Sequence, residues 1–135
     1  QDLLDQPWVG ASWEGFVVEN LLAAAPEGVQ GYFYRSSGGA EIDLLLAWPD
    51  GALWAVEIKR SLTPKLERGF HAACADLKPA RKLEIYPGAE TYRLGEAVEA
   101  MSLLEAAGLV AEAKYREAID EAGSSHQNEK AVTAW

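Results

Sequence analysis

The chain has a single cysteine, Cys74, in 135 residues. One thiol cannot close an internal disulfide, and it rules out a zinc site built from several thiolates. Its setting, FHAACADL, has the pattern of an apolar helix face, where a free cysteine is ordinarily a buried structural group. No apolar run comes near the ~20 residues that cross a bilayer, and no basic leader precedes a cleavable apolar stretch. These absences predict a soluble, cytoplasmic protein with no membrane partner. No segment repeats, and none is of low complexity. His71 and His126 each lack a second nearby ligand, so one reads as a helix residue and the other as part of a tail.

Basic charge is also scarce. Twelve Lys and Arg stand against 21 Asp and Glu, a net charge of −9, which argues against a general nucleic-acid binder. The distribution is uneven, however. Between residues 59 and 82 lie seven basic residues (Lys59, Arg60, Lys65, Arg68, Lys78, Arg81 and Lys82) and only two acidic ones, Glu67 and Asp76. A basic patch on an acidic body suits one polyanion-binding surface; solvated surface charge accounts for it equally well. What remains is ordinary for a globular chain: 49% apolar and 24% charged residues, in a length that fits about one domain with a real core. The start at Gln1 rather than Met predicts a piece of something longer.

Residues 1–10, with Pro7 and Gly10, read as an irregular lead-in. Ser12 is a fitting N-cap for a helix to about Ala25, where Trp13, Phe16, Val17 and Leu21 recur at helical spacing and Pro26 and Gly28 stop it. GYFYRS, EIDLLLAW and ALWAVEIKR then read as an antiparallel meander, the last two joined by the strong turn signal Pro49-Asp50-Gly51. Thr63-Pro64 opens a second helix ending near Asp76 or Leu77. KLEIYPG and TYRLG are two further short strands, the first expected beside the second or third strand. Glu96 to Gly108 reads as a helix stopped by Gly108, residues 109–122 as a C-terminal helix, and 123–135 as a loose tail.

The stretch AEIDLLLAWPDGALWAVEIKRS carries charges in sequence that favours burial, which is costly unless they are paired or hold a metal. Alternation along a strand sends Trp54, Val56 and Ile58 to one face and Ala55, Glu57 and Lys59 to the other. In the preceding strand it sends Ile42, Leu44 and Leu46 one way and Glu41 and Asp43 the other. The tight turn can then bring Asp43 and Glu57 together, where two carboxylates repel unless a cation lies between them. Lys59 would face the same pocket and could orient a water or steady a phosphate.

Asp43, Glu57-x-Lys59 and a preceding helix with Glu14 resemble the PD-(D/E)xK restriction-endonuclease-like fold. GASWEGFVVENLL, YFYRSSGGAEIDLLL, AVEIKRS followed by PK, and IYPG resemble more closely the domain of unknown function found C-terminal to the ATPase domain of prokaryotic AAA-type ATPases. The resemblance covers roughly residues 8–107, and Arg35, Gly39, Ala40, Glu41 and Asp43 form its most specific segment. It departs from the nuclease motif at Ile42, where a proline would precede the aspartate. No G-x-x-x-x-G-K-[ST] occurs, so the ATPase part is absent from this chain.

That resemblance implies an α/β fold with a mixed central sheet flanked by helices over residues 11–108. It implies Asp43 and Glu57 as Mg²⁺ ligands, Lys59 as the catalytic lysine and Glu14 as the helix carboxylate completing the site. Arg60, Lys65, Arg68, Lys78, Arg81 and Lys82 would contact a DNA backbone. The partners it implies are an AAA-type ATPase domain of the same chain and DNA. Two other classes remain open beside the nuclease: a catalytically silent module that recruits a partner or controls the ATPase, and a homo-oligomer joined through the 96–107 helix. Simpler roles stand next to each residue. Glu14 fits equally a carboxylate that only complements a helix dipole, Lys59 a lysine that pairs with either carboxylate on a solvated face, and Arg35 is expected to pair with Glu41 across the hairpin.

Overall fold

The alternating run from residue 30 to 58 folds as the expected meander: β1 (Gln30–Arg35), β2 (Glu41–Ala47) and β3 (Leu53–Ile58), all antiparallel. The turn chemistry is visible at the β2–β3 hairpin. Gly51 takes a φ of 92°, and the Asp50 side chain accepts a hydrogen bond from the Ala52 N–H at 2.9 Å. In this computed structural model, residues 9–95 and 97–123 are described, with side chains from 13 to 95 and from 97 to 113. Residues 1–8 of the lead-in, the tail from 124 onward and His126 lie outside them.

Before the meander comes α1 (Val9–Ala24), which starts three residues ahead of Ser12 and takes in Val9 and Gly10. After it come α2 (Arg68–Leu77), β4 (Arg81–Ile85), β5 (Tyr92–Leu94), β6 (Val98–Met101) and α3 (Leu103–Gly123). The sheet is six-stranded and mixed, in the order β1-β2-β3-β4-β6-β5. β4 runs parallel to β3 and β6 parallel to β4, while β5 closes the edge antiparallel to β6. This is the expected mixed α/β architecture.

Two apolar clusters cover the two faces. Val17 and Leu21 of α1 and Ala106 and Val110 of α3 pack with Leu44, Leu46, Val56, Ile58, Leu83 and Ile85. Phe70, Ala73 and Cys74 of α2 pack with Ile42, Leu45, Ala55 and Val98 on the other face. Cys74 is accordingly a buried free thiol, raised to about 11 by that burial. Strands covered on both sides are apolar almost continuously, as in parallel sheets generally.

Three expectations change. The run from Glu96 to Gly108 is not one helix: residues 98–101 form β6, and the helix begins at Leu103 and passes through Gly108. Alanine and glutamate favour a helix locally, but Val98, Ala100 and Met101 are buried between β4 and β5, and that pairing decides. The proposed oligomer helix over 96–107 therefore does not exist as one element. Second, α2 starts at Arg68 rather than at Thr63-Pro64, so residues 59–67 form a connection. Third, Ile42 faces α2 with Leu45, away from Leu44 and Leu46. Tyr32 opposes Leu45 and Tyr34 opposes Ile42, so β2 holds one residue more than β1 there. Such a bulge re-aims side chains locally, and Asp43 sits in it.

Candidate metal and phosphate site

β3, β4 and β6 point the same way, and ligands of such sheets collect beyond the carboxyl ends of the strands. Here that end opens as a cleft of about 340 Å³, lined by Glu14, Gly39, Glu41, Asp43, Glu57, Ile58, Lys59, Glu67, Gly69 and Phe70. Four elements and two loops contribute to it. Trp13 Nε1 donates to the Lys59 carbonyl at 2.9 Å, which ties α1 to the end of β3 and sets Glu14 at the rim. Helix α1 begins at Val9, so Glu14 lies beyond its first turn and the dipole explanation loses force.

Asp43 is fixed by the backbone it faces: its Oδ2 accepts the Ile58 N–H at 2.8 Å. The Glu57 carboxyl lies within hydrogen-bonding reach of Asp43 and is 7% exposed. Burial, the Asp43 hydrogen bond, and the charges of Asp43 and Glu84 push it up to about 9, against a smaller downward pull from Lys59. Burial and the Asp43 carboxyl beside it keep the proton on Glu57 even with the Lys59 ammonium close by.

Lys59 Nζ stands 3.7 Å from Glu57 Oε2 and 2.8 Å from Glu67 Oε1. Burial pulls the ammonium down, yet the Glu67 hydrogen bond and the charges of Glu57, Glu67 and Glu84 outweigh it, and the net direction is up. The same hydrogen bond holds Glu67 below the usual carboxylate range. The wall between the β1–β2 loop and α2 depends on glycine: a Cβ on Gly69 would lie 2.6 Å from the Gly39 carbonyl oxygen. Glu67, at the N-cap of α2, makes no side-chain cap, and Gly69 and Phe70 of that helix's first turn line the cleft.

Asp43, Glu57, Lys59 and Glu14 thus come together. Arg35 pairs with Glu41 at 3.3 Å across the hairpin, as expected. The basic residues divide. Arg60, Lys65 and Arg68 are exposed on or beside the connection leaving Lys59. Lys78, Arg81 and Lys82 lie where β4 begins, at the opposite end of the sheet, since Arg81 is level with Trp54 in β3. Arg81 is engaged there, 3.0 Å from Glu99 and 5.4 Å from the Trp54 ring centroid.

Two carboxylates escaped the sequence reading. Glu67 lay inside a supposed helix, and nothing local linked it to Lys59. Glu84 carried a signal, a lone acid between Leu83 and Ile85 in a strand, and it proves wholly buried. Among the described residues, no group of three or more His, Cys, Asp or Glu is gathered as a metal cage. No helix among them is long and apolar enough to cross a membrane.

Fold and cleft define a mixed α/β domain whose parallel strands end at a carboxylate–lysine site. The chain belongs to the family described as "Domain of unknown function (DUF4143)", whose model matches residues 9–106. It is similar to the uncharacterised protein Rv2008c of Mycobacterium tuberculosis and the uncharacterised protein Mb2031c of Mycobacterium bovis. Each is 41% identical over 96 residues, covering 70% of this chain and 21% of the relative. The chain therefore spans about a fifth of the length of these curated relatives. No solved structure matches.

Proposed function

We propose that this domain is a PD-(D/E)xK, restriction-endonuclease-like module that hydrolyses phosphodiester bonds of DNA with Mg²⁺ and is carried C-terminally on a prokaryotic AAA-type ATPase. The observation that carries the reading is the Asp43–Glu57 pair, in hydrogen-bonding reach of each other with Lys59 beside them in one cleft. The donors fit the ion. Mg²⁺ keeps several waters and takes one or two carboxylates, so two hard oxygen ligands suffice without a closed cage. Membership in the family is compatible with an ATPase-attached domain.

Asp43 and Glu57 would hold the ion, and when bound it supplies Lewis-acid activation of phosphate and water. Asp43 is held in place by the Ile58 N–H, so it need not reorganise on loading. Lys59 releases Glu67 and turns its ammonium to the attacking water or to the phosphate oxygens. Glu14, at the rim, accepts a proton from that water. The first turn of α2 receives a phosphate oxygen, and Arg60, Lys65 and Arg68 hold the adjoining backbone.

A catalytically silent module that recruits a partner or controls the ATPase is the second reading. It is favoured by the Lys59–Glu67 pair at 2.8 Å, which occupies the lysine, and by the net charge of −9. Calorimetric titration of Mg²⁺ and Mn²⁺ into the chain and into Asp43→Ala separates the two. Binding that vanishes in the variant, followed by cleavage of DNA, supports the nuclease. Absence of binding in both proteins overturns it.

A further inference from the structure

Glu84 is the group the proposed chemistry leaves unused. It sits mid-sheet on β4, level with Glu57 on one side and Ala100 on the other. Leu83 and Ile85 face α1 and α3, so Glu84 faces the α2 side, as Glu57 does. It is 0% exposed, and neither carboxyl oxygen has a hydrogen-bond partner. An isolated carboxyl in such a place is costly, and an apolar side chain would pack there without that cost. Its charge couples to Glu57 and to the cleft residues Lys59 and Glu67. Parallel neighbours in register stand about 4.8 Å apart, so Glu84 lies directly behind Glu57.

We infer that Glu84 is a positioning residue for the divalent cation: a third negative charge, behind the Asp43–Glu57 pair, that tightens the pair's hold on Mg²⁺ or Mn²⁺. This rests on the metal-binding reading of the cleft. The charge balance supports it. Glu57, Glu67 and Glu84 all act on one ammonium, Lys59, and Glu67 already occupies that ammonium at 2.8 Å. A hard divalent ion held by Asp43 and Glu57 would supply the counter-charge that Lys59, engaged by Glu67, does not. Glu84 would then act by its charge through Glu57, its neighbour in register, as carboxylates behind metal ligands do.

The test is Mn²⁺ titration by calorimetry on the full chain, on Glu84→Gln and on Glu84→Met, with the thermal midpoint of each metal-free protein measured alongside. The inference expects Glu84→Gln to weaken Mn²⁺ binding about 10- to 100-fold while the metal-free midpoint holds or rises. Glu84→Met should bind no better than Glu84→Gln. Equal Mn²⁺ affinity in Glu84→Gln and the unaltered chain overturns this inference and leaves the site reading standing. Loss of fold in both variants also overturns it, because the carboxyl would then be structural. If the unaltered chain binds no Mn²⁺, the reading of the cleft fails first and takes this inference with it.

Discussion

Raising the pH from ~6 to ~8 should destabilise the metal-free domain, the reverse of what paired carboxylates usually give. Glu57 is raised from 4.5 to about 9 in the folded chain, and Glu84 from 4.5 to about 7. Below 4.5 both groups keep their protons whether the chain is folded or not, and their contribution is fully present. Above it only the folded chain holds them, so stability is lost as pH climbs, through about 7 for Glu84 and about 9 for Glu57. Lys59 is also raised, but from 10.5, and Glu67 is lowered from 4.5, so neither titrates in this window. Each proton contributes at most ~1.4 kcal/mol per pH unit. The two groups share one environment and the cleft is open to solvent, which halves the limit. A loss on the order of 2 kcal/mol remains, or about 6 °C in thermal midpoint for a domain of this size. Denaturant or thermal melts at three pH values, with Glu57→Gln as control, provide the assay. The variant should flatten the slope. A stability that is level or rising across the window, or a slope that Glu57→Gln leaves intact, refutes the reasoning.

Asp43→Ala removes the acceptor of the Ile58 N–H and should cost about 1.5–3 kcal/mol by denaturant melts, while Asp43→Asn, which can still accept, should cost less. Gly69→Ala puts a methyl group 2.6 Å from the Gly39 carbonyl oxygen and should destabilise by about 1–3 kcal/mol; an unchanged denaturation midpoint would show that the loop yields freely. Trp13→Phe deletes the hydrogen bond to the Lys59 carbonyl, with an expected loss of about 1 kcal/mol in the same melts. If DNA binds at the cleft, alanine at Arg60, Lys65 or Arg68 should lower the salt dependence of binding by about one ion each, whereas alanine at Lys78, Arg81 or Lys82 should leave it unaltered. Equal effects from the two groups would place the DNA elsewhere.

Short-range chemistry made much of the domain legible from its residues. The Asp-Gly turn after Ala47 and Trp48 sets a hairpin, and period-two alternation puts Glu57 and Lys59 on one side of β3, because both signals act within a few residues. Asp43, Glu57 and Lys59 could therefore be grouped from sequence, and the structure brings them into one cleft. Tertiary structure decided the rest. Residues 98–101 became a strand because two neighbouring strands offer hydrogen bonds and burial that outweigh a local helical preference of a few tenths of a kcal/mol per residue. Ile42 changed face because β2 carries one residue more than β1, a mismatch that appears only when the strands pair. Glu84 meets Glu57, and Glu67 meets Lys59, through the crossover from β3 by way of α2 to β4. Their electrostatics depend on distance in space and on exclusion of water, and neither quantity is written in the order of the residues.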